Sequence, residues 1–180
     1  MKRRLKQLVR AMLFKERPRR YIPLDLSLER FLSRLNDAGC RYIVLRWFEG
    51  FPRIVDGDID ILVHDEDVEA VRSFLRPMTV VAALAGKYPP SRKCDVYSVS
   101  GLPGSTYKGL AYYPAHLAAR LLARAERHPS GAMVPCKEDH FFSLAFHALY
   151  HKGLLSGLPT SNTTLLPNPA PRHDYAGRLK

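Results

Sequence analysis

The sequence predicts an α/β protein of the α+β kind: a small mixed β-sheet with flanking helices, followed by further helices. The length of 180 residues and the hydrophobic content of 46% are sufficient for one domain with its own core. Short runs rich in β-branched and aromatic residues alternate with helical spacing up to about residue 110, and helical patterns dominate after it.

The first predicted elements are a helix and two strands. Leucines and a phenylalanine recur at helical spacing between residues 24 and 35, and Gly39 is placed to end that helix. The stretch CRYIVLRW (40–47) is rich in tyrosine, isoleucine, valine and leucine, which favours a strand. A loop with two glycines and a proline then leads into a second strand, DIDILV (58–63).

A helix and two more strands are predicted next. Asp65 or Asp67 is placed to cap a helix with apolar residues at helical spacing up to Leu75. The apolar run MTVVAAL (78–84) predicts a strand, and so does CDVYSVS (94–100) with its loose alternation.

The second half of the chain is predicted to be helical and then extended. Helical patterns cover residues 116–127 and about 138–152, and proline-rich sequence without periodicity follows Gly153. We therefore predict four segments: a basic arm (1–20), an α/β core (21–110), a helical segment (111–153) and a proline-rich tail or linker (154–180).

The positive charge is concentrated in the N-terminal arm. Residues 1–20 contain nine lysines or arginines and one glutamate, so +8 of the net charge of +11 belongs to them. The arm could form an amphipathic helix on an anionic membrane, on RNA or on a partner, or it could be a solvated tail. Nucleic-acid binding would also call for basic residues across the globular part, which carries only +3, so the sequence favours a membrane surface over RNA.

Cysteine usage and hydropathy bear on location. Cys40, Cys94 and Cys136 are odd in number and far apart, which indicates a reducing cytoplasm without a disulfide framework or a structural zinc site. No run approaches the ~18 apolar residues of a membrane-spanning helix, and no cleavage pattern follows the basic N-terminus. We expect a cytoplasmic protein, with the arm as a possible contact to the inner membrane face.

The sequence DGDIDILVHDED (56–67) contains the strongest chemical signal. Asp58 and Asp60 are two residues apart at the start of a strand, so their side chains point to the same side and repel each other unless neutralised. A divalent cation removes that repulsion, and oxygen ligands suit Mg²⁺. Asp95, on a later predicted strand, is placed to supply a third carboxylate.

These residues resemble the signature of a known superfamily. GDIDILV is similar to the [DE]-h-[DE] motif of the polymerase-beta-like nucleotidyltransferases, with Asp95 in the place of their third acid. With YIVLRWFEGFP before the motif and EDHFFSLAFHALYHKG after it, the chain also resembles bacterial nucleotidyltransferase-like proteins associated with surface-polysaccharide gene clusters. The first resemblance spans roughly residues 25–100.

The resemblance implies a fold and a reaction. It implies the nucleotidyltransferase fold and the transfer of a nucleoside monophosphate from an NTP to a hydroxyl acceptor. Asp58, Asp60 and Asp95 would be both the catalytic residues and the Mg²⁺ ligands, with the third acid helping to activate the attacking hydroxyl. The alternative is a catalytically inactive module with this fold that binds a nucleotide or a partner.

One part of the superfamily pattern is missing. The Gly-Ser pair that binds nucleotide phosphate after the first strand is replaced by LRWFEGFP (45–52). Arg46 could supply a phosphate contact instead, and Gly50 could permit a close approach of the backbone. The missing pair favours the inactive alternative.

The acidic sequence has two other interpretations. Asp56, Asp58 and Asp60 match the first half of a calcium loop, but Ile61 stands where that loop requires glycine, which excludes an EF-hand. The remaining alternative is that Asp58 and Asp60 lie at an exposed strand end, solvated or paired with arginines.

Three histidines and one loop are further candidates. His140, His147 and His151 lie along one side of the predicted helix, and the last two have the spacing of a zinc pair without an evident third ligand. Packing or a substrate contact is the favoured role for all three. The loop SGLPGSTYKG (100–109) predicts a turn near Asp95, in which Tyr107 could stack a base or form a hydrophobic rim.

Overall fold

The computed structural model describes residues 19–52, 58–161 and 164–180. Residues 1–18, which contain the predicted arm helix, lie outside this part of the chain. The chain divides into two compact units, one ending at Pro135 and the other running from Cys136 to Lys180. The predicted class is confirmed, since the first unit contains a five-stranded mixed sheet with flanking helices.

The sheet consists of β1 (Arg20–Tyr21), β2 (Tyr42–Val44), β3 (Ile59–Val63), β4 (Arg76–Pro77) and β5 (Lys93–Ser98). Its order is β2-β3-β5-β1-β4. The central pair, β3 and β5, is parallel, and the other neighbours are antiparallel. The strands predicted within 40–47, 58–63 and 94–100 are therefore confirmed.

The register of the central pair brings the acidic residues together. Asp60 is the direct partner of Asp95, and Ile61 is the partner of Val96. Every residue of β3 is buried, as expected for a strand with a neighbour on each side and a core beneath it. The sheet core therefore fixes the position of the Asp60 and Asp95 backbones.

The first helix closes one face of this core. Helix α1 (Leu28–Asp37) begins at Ser27, whose Oγ accepts a hydrogen bond from the Arg30 N–H at 3.2 Å. Phe31 and Leu35 on its inner side belong to the same buried cluster as Ile61. The helix ends as predicted, with Gly39 at a φ of +66°, where a residue without Cβ is favoured.

The remaining helices are short. They are α2 (Val68–Ser73), α3 (Val80–Leu84), α4 (Ala115–Ala123), α5 (Lys137–Phe146) and α6 (Tyr175–Arg178). A two-stranded hairpin of β6 (Ala125–Arg127) and β7 (Met133–Pro135) follows α4.

The strand predicted at 78–84 is wrong, because this segment forms α3. The Thr79 Oγ1 accepts a hydrogen bond from the Ala82 N–H at 3.1 Å and begins the helix. Val81 and Leu84 are exposed while Ala82 and Ala83 are buried. A short apolar run satisfies the pattern of either element, and here the N-cap decides in favour of the helix.

Asp67, one of the two predicted caps, stands at the N-cap position of α2, but its side chain makes no capping hydrogen bond. The Asp67 carboxylate accepts hydrogen bonds from the Arg41 backbone and side chain, and Asp65 accepts one from the Ser100 N–H. Instead, the His64 Nδ1 accepts from the Glu66 N–H and begins a 3₁₀ turn before α2. Both carboxylates have partners distant in sequence, which local capping rules do not anticipate.

The two later helices differ from the prediction at their ends. The helix predicted at 116–127 stops at Ala123, and its last residues pair as β6 instead. The helix predicted at 138–152 is confirmed as α5, which continues as a π-helix over His147–Lys152. In the predicted tail, Tyr175 is buried and begins α6.

None of the helices described by the structure has the length and apolar character needed to cross a bilayer.

The N-cap of α3 can be tested by two substitutions at Thr79. Thr79→Ala removes the capping oxygen and should lower the free energy of unfolding by about 1 kcal/mol. Thr79→Asp keeps an acceptor and should leave stability within a few tenths of the wild-type value. Urea unfolding of the three proteins measures this. A larger loss of unfolding free energy in Thr79→Asp than in Thr79→Ala would contradict the assignment of a helix here. Such a result would point to a strand, which aspartate disfavours.

Candidate metal centre

Three carboxylates converge at one end of the central strand pair. Asp58 directly precedes β3, Asp60 lies within it, and Asp95 lies opposite on β5. One oxygen atom of each carboxylate lies within 4.8 Å of the other two. The convergence expected from the sequence is thereby confirmed.

Asp60 is held by a buried ion pair. Its Oδ2 lies 2.5 Å from the Arg46 Nη2, and its Oδ1 accepts a 3.3 Å hydrogen bond from the Tyr97 hydroxyl. Burial opposes the charge of Arg46, but the Asp60 carboxylate outweighs it and raises the pKa of the guanidinium. Burial and the neighbouring Asp60 charge raise the pKa of Tyr97, so its hydroxyl stays protonated and can donate.

Asp58 and Asp95 share a different cation. The Lys93 Nζ lies 2.6 Å from the Asp58 Oδ2 and also contacts the Asp95 Oδ2. Lys93 and Asp95 are two residues apart on β5, so their side chains leave the strand on the same side. The two-residue spacing of Lys93 and Asp95 in KCD (93–95) is the signal of this pairing in the sequence.

The two half-buried carboxylates have opposite pKa shifts. Burial tends to raise the pKa of Asp58, but the Lys93 ammonium overrides it and lowers the value to about 2. For Asp95, burial is the largest influence and the Asp60 charge adds to it, so the pKa rises to about 6 despite the contact with Lys93. Near neutral pH, Asp58 is therefore a fixed anion, whereas Asp95 can take up a proton.

The other predicted binding residues have different surroundings. Arg46 was expected to contact phosphate, but its side chain is only 8% exposed and is paired with Asp60. Its Nη1 is buried without a hydrogen-bond partner in the described part of the chain, and its Cζ lies 5.5 Å from the centre of the Tyr112 ring. Gly50 is exposed in a turn that precedes the undescribed residues 53–57.

The predicted histidine series lies in the second compact unit. The Nδ1 atoms of His147 and His151 are 3.2 Å apart, and the His147 side chain is buried. His140 precedes them on α5. Within the described ranges, the aspartate triad is the sole group of three or more side chains placed to hold a metal ion. The geometry thus gives the histidine pair no third ligand.

The aspartate triad fits a divalent cation such as Mg²⁺. Its ligand atoms are all oxygen, the choice of a hard cation. The carboxylates of Asp58 and Asp95 both contact a positive charge, the Lys93 ammonium. A bound ion would be held by Asp58, Asp60 and Asp95, with Lys93 displaced from between two of them.

Comparisons with known proteins identify no relative, since no family model, no curated protein and no solved structure matches this chain.

Removing Arg46 tests the buried pair. Arg46→Met leaves Asp60 buried and unpaired, which should lower the free energy of unfolding by about 3–5 kcal/mol. Adding Asp60→Asn should restore most of that loss. The control is Arg41→Met, because Arg41 pairs with Glu66 and Asp67 at the surface and its loss should have little effect. Equal losses in the two single variants, measured by urea unfolding, would contradict the assignment.

The raised pKa of Asp95 predicts how metal affinity depends on pH. Protons compete with the ion for Asp95, so affinity for Mn²⁺ or Mg²⁺ should fall by up to about tenfold per pH unit below about 6 and level off above it. Asp58 stays ionised over this range and adds no pH dependence. Calorimetry between pH 5 and pH 8 measures the profile. Asp95→Asn should flatten it, and a flat wild-type profile would contradict the prediction.

Proposed function

We propose that this protein is a Mg²⁺-dependent nucleotidyltransferase that moves a nucleoside monophosphate from an NTP to a hydroxyl group of an acceptor. The observation that carries the proposal is the convergence of the Asp58, Asp60 and Asp95 carboxylates within 4.8 Å on two paired parallel strands. The likeness of GDIDILV to the nucleotidyltransferase motif supports the same reading.

The pKa shifts suggest a division of labour among the three acids. Asp58 and Asp60 are anchored anions, one beside Lys93 and the other beside Arg46, which suits metal ligands. Asp95 has a pKa of about 6, close to the range in which a general base works. A bound Mg²⁺ would supply charge neutralisation at the phosphates and lower the pKa of the acceptor hydroxyl.

The proposed reaction is a single displacement. The acceptor hydroxyl gives its proton to Asp95 as its oxygen bonds to the α-phosphorus of the NTP. The bond between that phosphorus and the β-phosphate oxygen breaks, and pyrophosphate leaves with the electron pair. Arg46 acts indirectly in this scheme, because its ion pair holds the Asp60 carboxylate in place.

The second candidate is an inactive module with the same fold. The observation in its favour is Lys93, whose ammonium forms ion pairs with two of the three carboxylates. The absence of the Gly-Ser pair after β2 supports it as well. In such a module the lysine would permanently replace the metal.

Pyrophosphate release tests the proposal. The wild-type protein with Mg²⁺, each NTP in turn and a panel of hydroxyl acceptors should release pyrophosphate. Asp58→Asn should reduce the rate by at least about a hundredfold, as expected when a group acting on transition-state charge is lost. Asp65→Asn is the matched control, because Asp65 accepts a backbone hydrogen bond outside the triad. Absence of Mg²⁺ binding by the wild type would contradict the proposed enzymatic function.

Lys93→Met separates the two candidates. If the lysine is only a competitor of the metal, its removal should strengthen Mg²⁺ binding roughly tenfold, the equivalent of about one pKa unit of electrostatic interaction. The inactive module predicts instead that the wild type binds no Mg²⁺ and that binding appears only in Lys93→Met. Calorimetry on both proteins distinguishes these results.

A further inference from the structure

A cleft of about 420 Å³ opens beside Asp95, on the side of β5 that faces β1. Strands β1 and β5 form one wall of the cleft, and the loop that follows β5 forms the other. Asp95 is the one member of the triad among its lining residues. Those used below are Arg19, Arg20, Lys93, Asp95, Tyr107 and Lys108.

The cleft has more positive charge than the described residues neutralise. Lys93 is paired with Asp58 and Asp95. Arg19, Arg20 and Lys108 have no carboxylate at ion-pair distance within the described residues. Arg19 and Lys108 line this concave surface, and such cations raise the local concentration of anions and favour a ligand with several negative charges.

Arg20 is the partner of Cys94 in the sheet, so its side chain leaves β1 on the face opposite to that of Asp95. Its side chain is half-buried on β1, and its pKa is lowered first by burial and then by the positive charge of Arg72. Glu69 offsets only part of this effect.

The wall opposite the strands is fixed in place. The Arg72 Nη2 donates to the Pro103 carbonyl at 2.7 Å and to the Ser105 Oγ at 2.9 Å. Gly104 between them has a φ of +76°, a backbone conformation that favours glycine. The Ser98 N–H donates to the Ser105 carbonyl at 3.1 Å. The loop that carries Tyr107 and Lys108 is thus anchored without a ligand.

We propose that this cleft binds the phosphate groups of an organic phosphate, held by Arg19 and Lys108. Guanidinium groups bind phosphate oxygens in pairs, and the lysine adds a point charge. The Tyr107 ring, 5.3 Å from the Lys108 Nζ, gives the organic part of the ligand an apolar surface. The volume lies in the range of small-molecule sites.

The role of this anion site in a reaction rests on the proposed function. A ligand in this cleft would lie against Asp95, next to the reacting groups. Two molecules of that reaction can carry the same phosphate chemistry: the NTP and an acceptor that is itself phosphorylated. The anion site stands on the charges and the cleft, whichever of the two fills it.

The first experiment needs neither metal nor turnover. Full-length protein in a metal-free buffer is titrated with inorganic pyrophosphate by calorimetry. The double variant Arg19→Gln/Lys108→Gln should bind pyrophosphate at least about tenfold more weakly than wild type, as expected for the loss of two charge-assisted contacts. Arg30→Gln/Lys87→Gln makes the same change of charge on side chains outside the cleft and should stay within about twofold.

A second pair of titrations identifies the source of the phosphate. With Mg²⁺ present, the cleft variant is compared with wild type for binding of the NTPs and of a hexose phosphate. A selective loss of NTP binding supports the nucleotide as the occupant, and a selective loss of hexose phosphate binding supports a phosphorylated acceptor. If the double variant does not fold, Lys108→Gln alone is used, since Lys108 is exposed on the loop.

Two outcomes would overturn the cleft proposal: no binding of pyrophosphate by the wild type, or equal binding by wild type and the cleft variant. Neither outcome depends on Mg²⁺ binding at the triad. Conversely, pyrophosphate binding that is lost only in the cleft variant supports the anion site even if no nucleotide is transferred. The two proposals can therefore fail separately.

Discussion

Repulsion among three carboxylates is the constraint on which the site depends. Asp60 and Asp95 are direct neighbours on parallel strands, and Asp58 enters the same space from the residue before β3. Anions this close in a partly desolvated place cannot all stay ionised without cations. Among the described residues two cations, Arg46 and Lys93, contact the cluster, and each pairs with a different part of it.

The two cations differ in how readily an ion could replace them. Arg46 and Asp60 are both almost fully buried, and the cost of separating such a pair makes it a permanent part of the core. Lys93 is a compact charge on a flexible side chain, and its partners Asp58 and Asp95 are partly exposed. A divalent ion would therefore replace Lys93 rather than Arg46, and Lys93 is also a lining residue of the cleft.

Sequence patterns predicted the part of the site that depends on local geometry. The spacing of Asp58 and Asp60, and the strand character around Asp95, follow from the two-residue period of a strand. The strand at 78–84 failed because a short apolar run does not distinguish helix from strand. The cleft was beyond prediction, because Arg19 and Lys108 come to line one cleft only through the pairing of β1 with β5 and the anchored loop.

The arrangement also explains why an acidic strand tolerates its position next to the core. Every side chain of β3 is buried, so a carboxylate in this strand would ordinarily destabilise the fold. Arg46 compensates at Asp60, but at Asp95 burial still raises the pKa to about 6, so its ionised form costs free energy near neutral pH. A carboxylate with a raised pKa beside a cleft lined by cations is the kind of perturbed environment that functional sites contain.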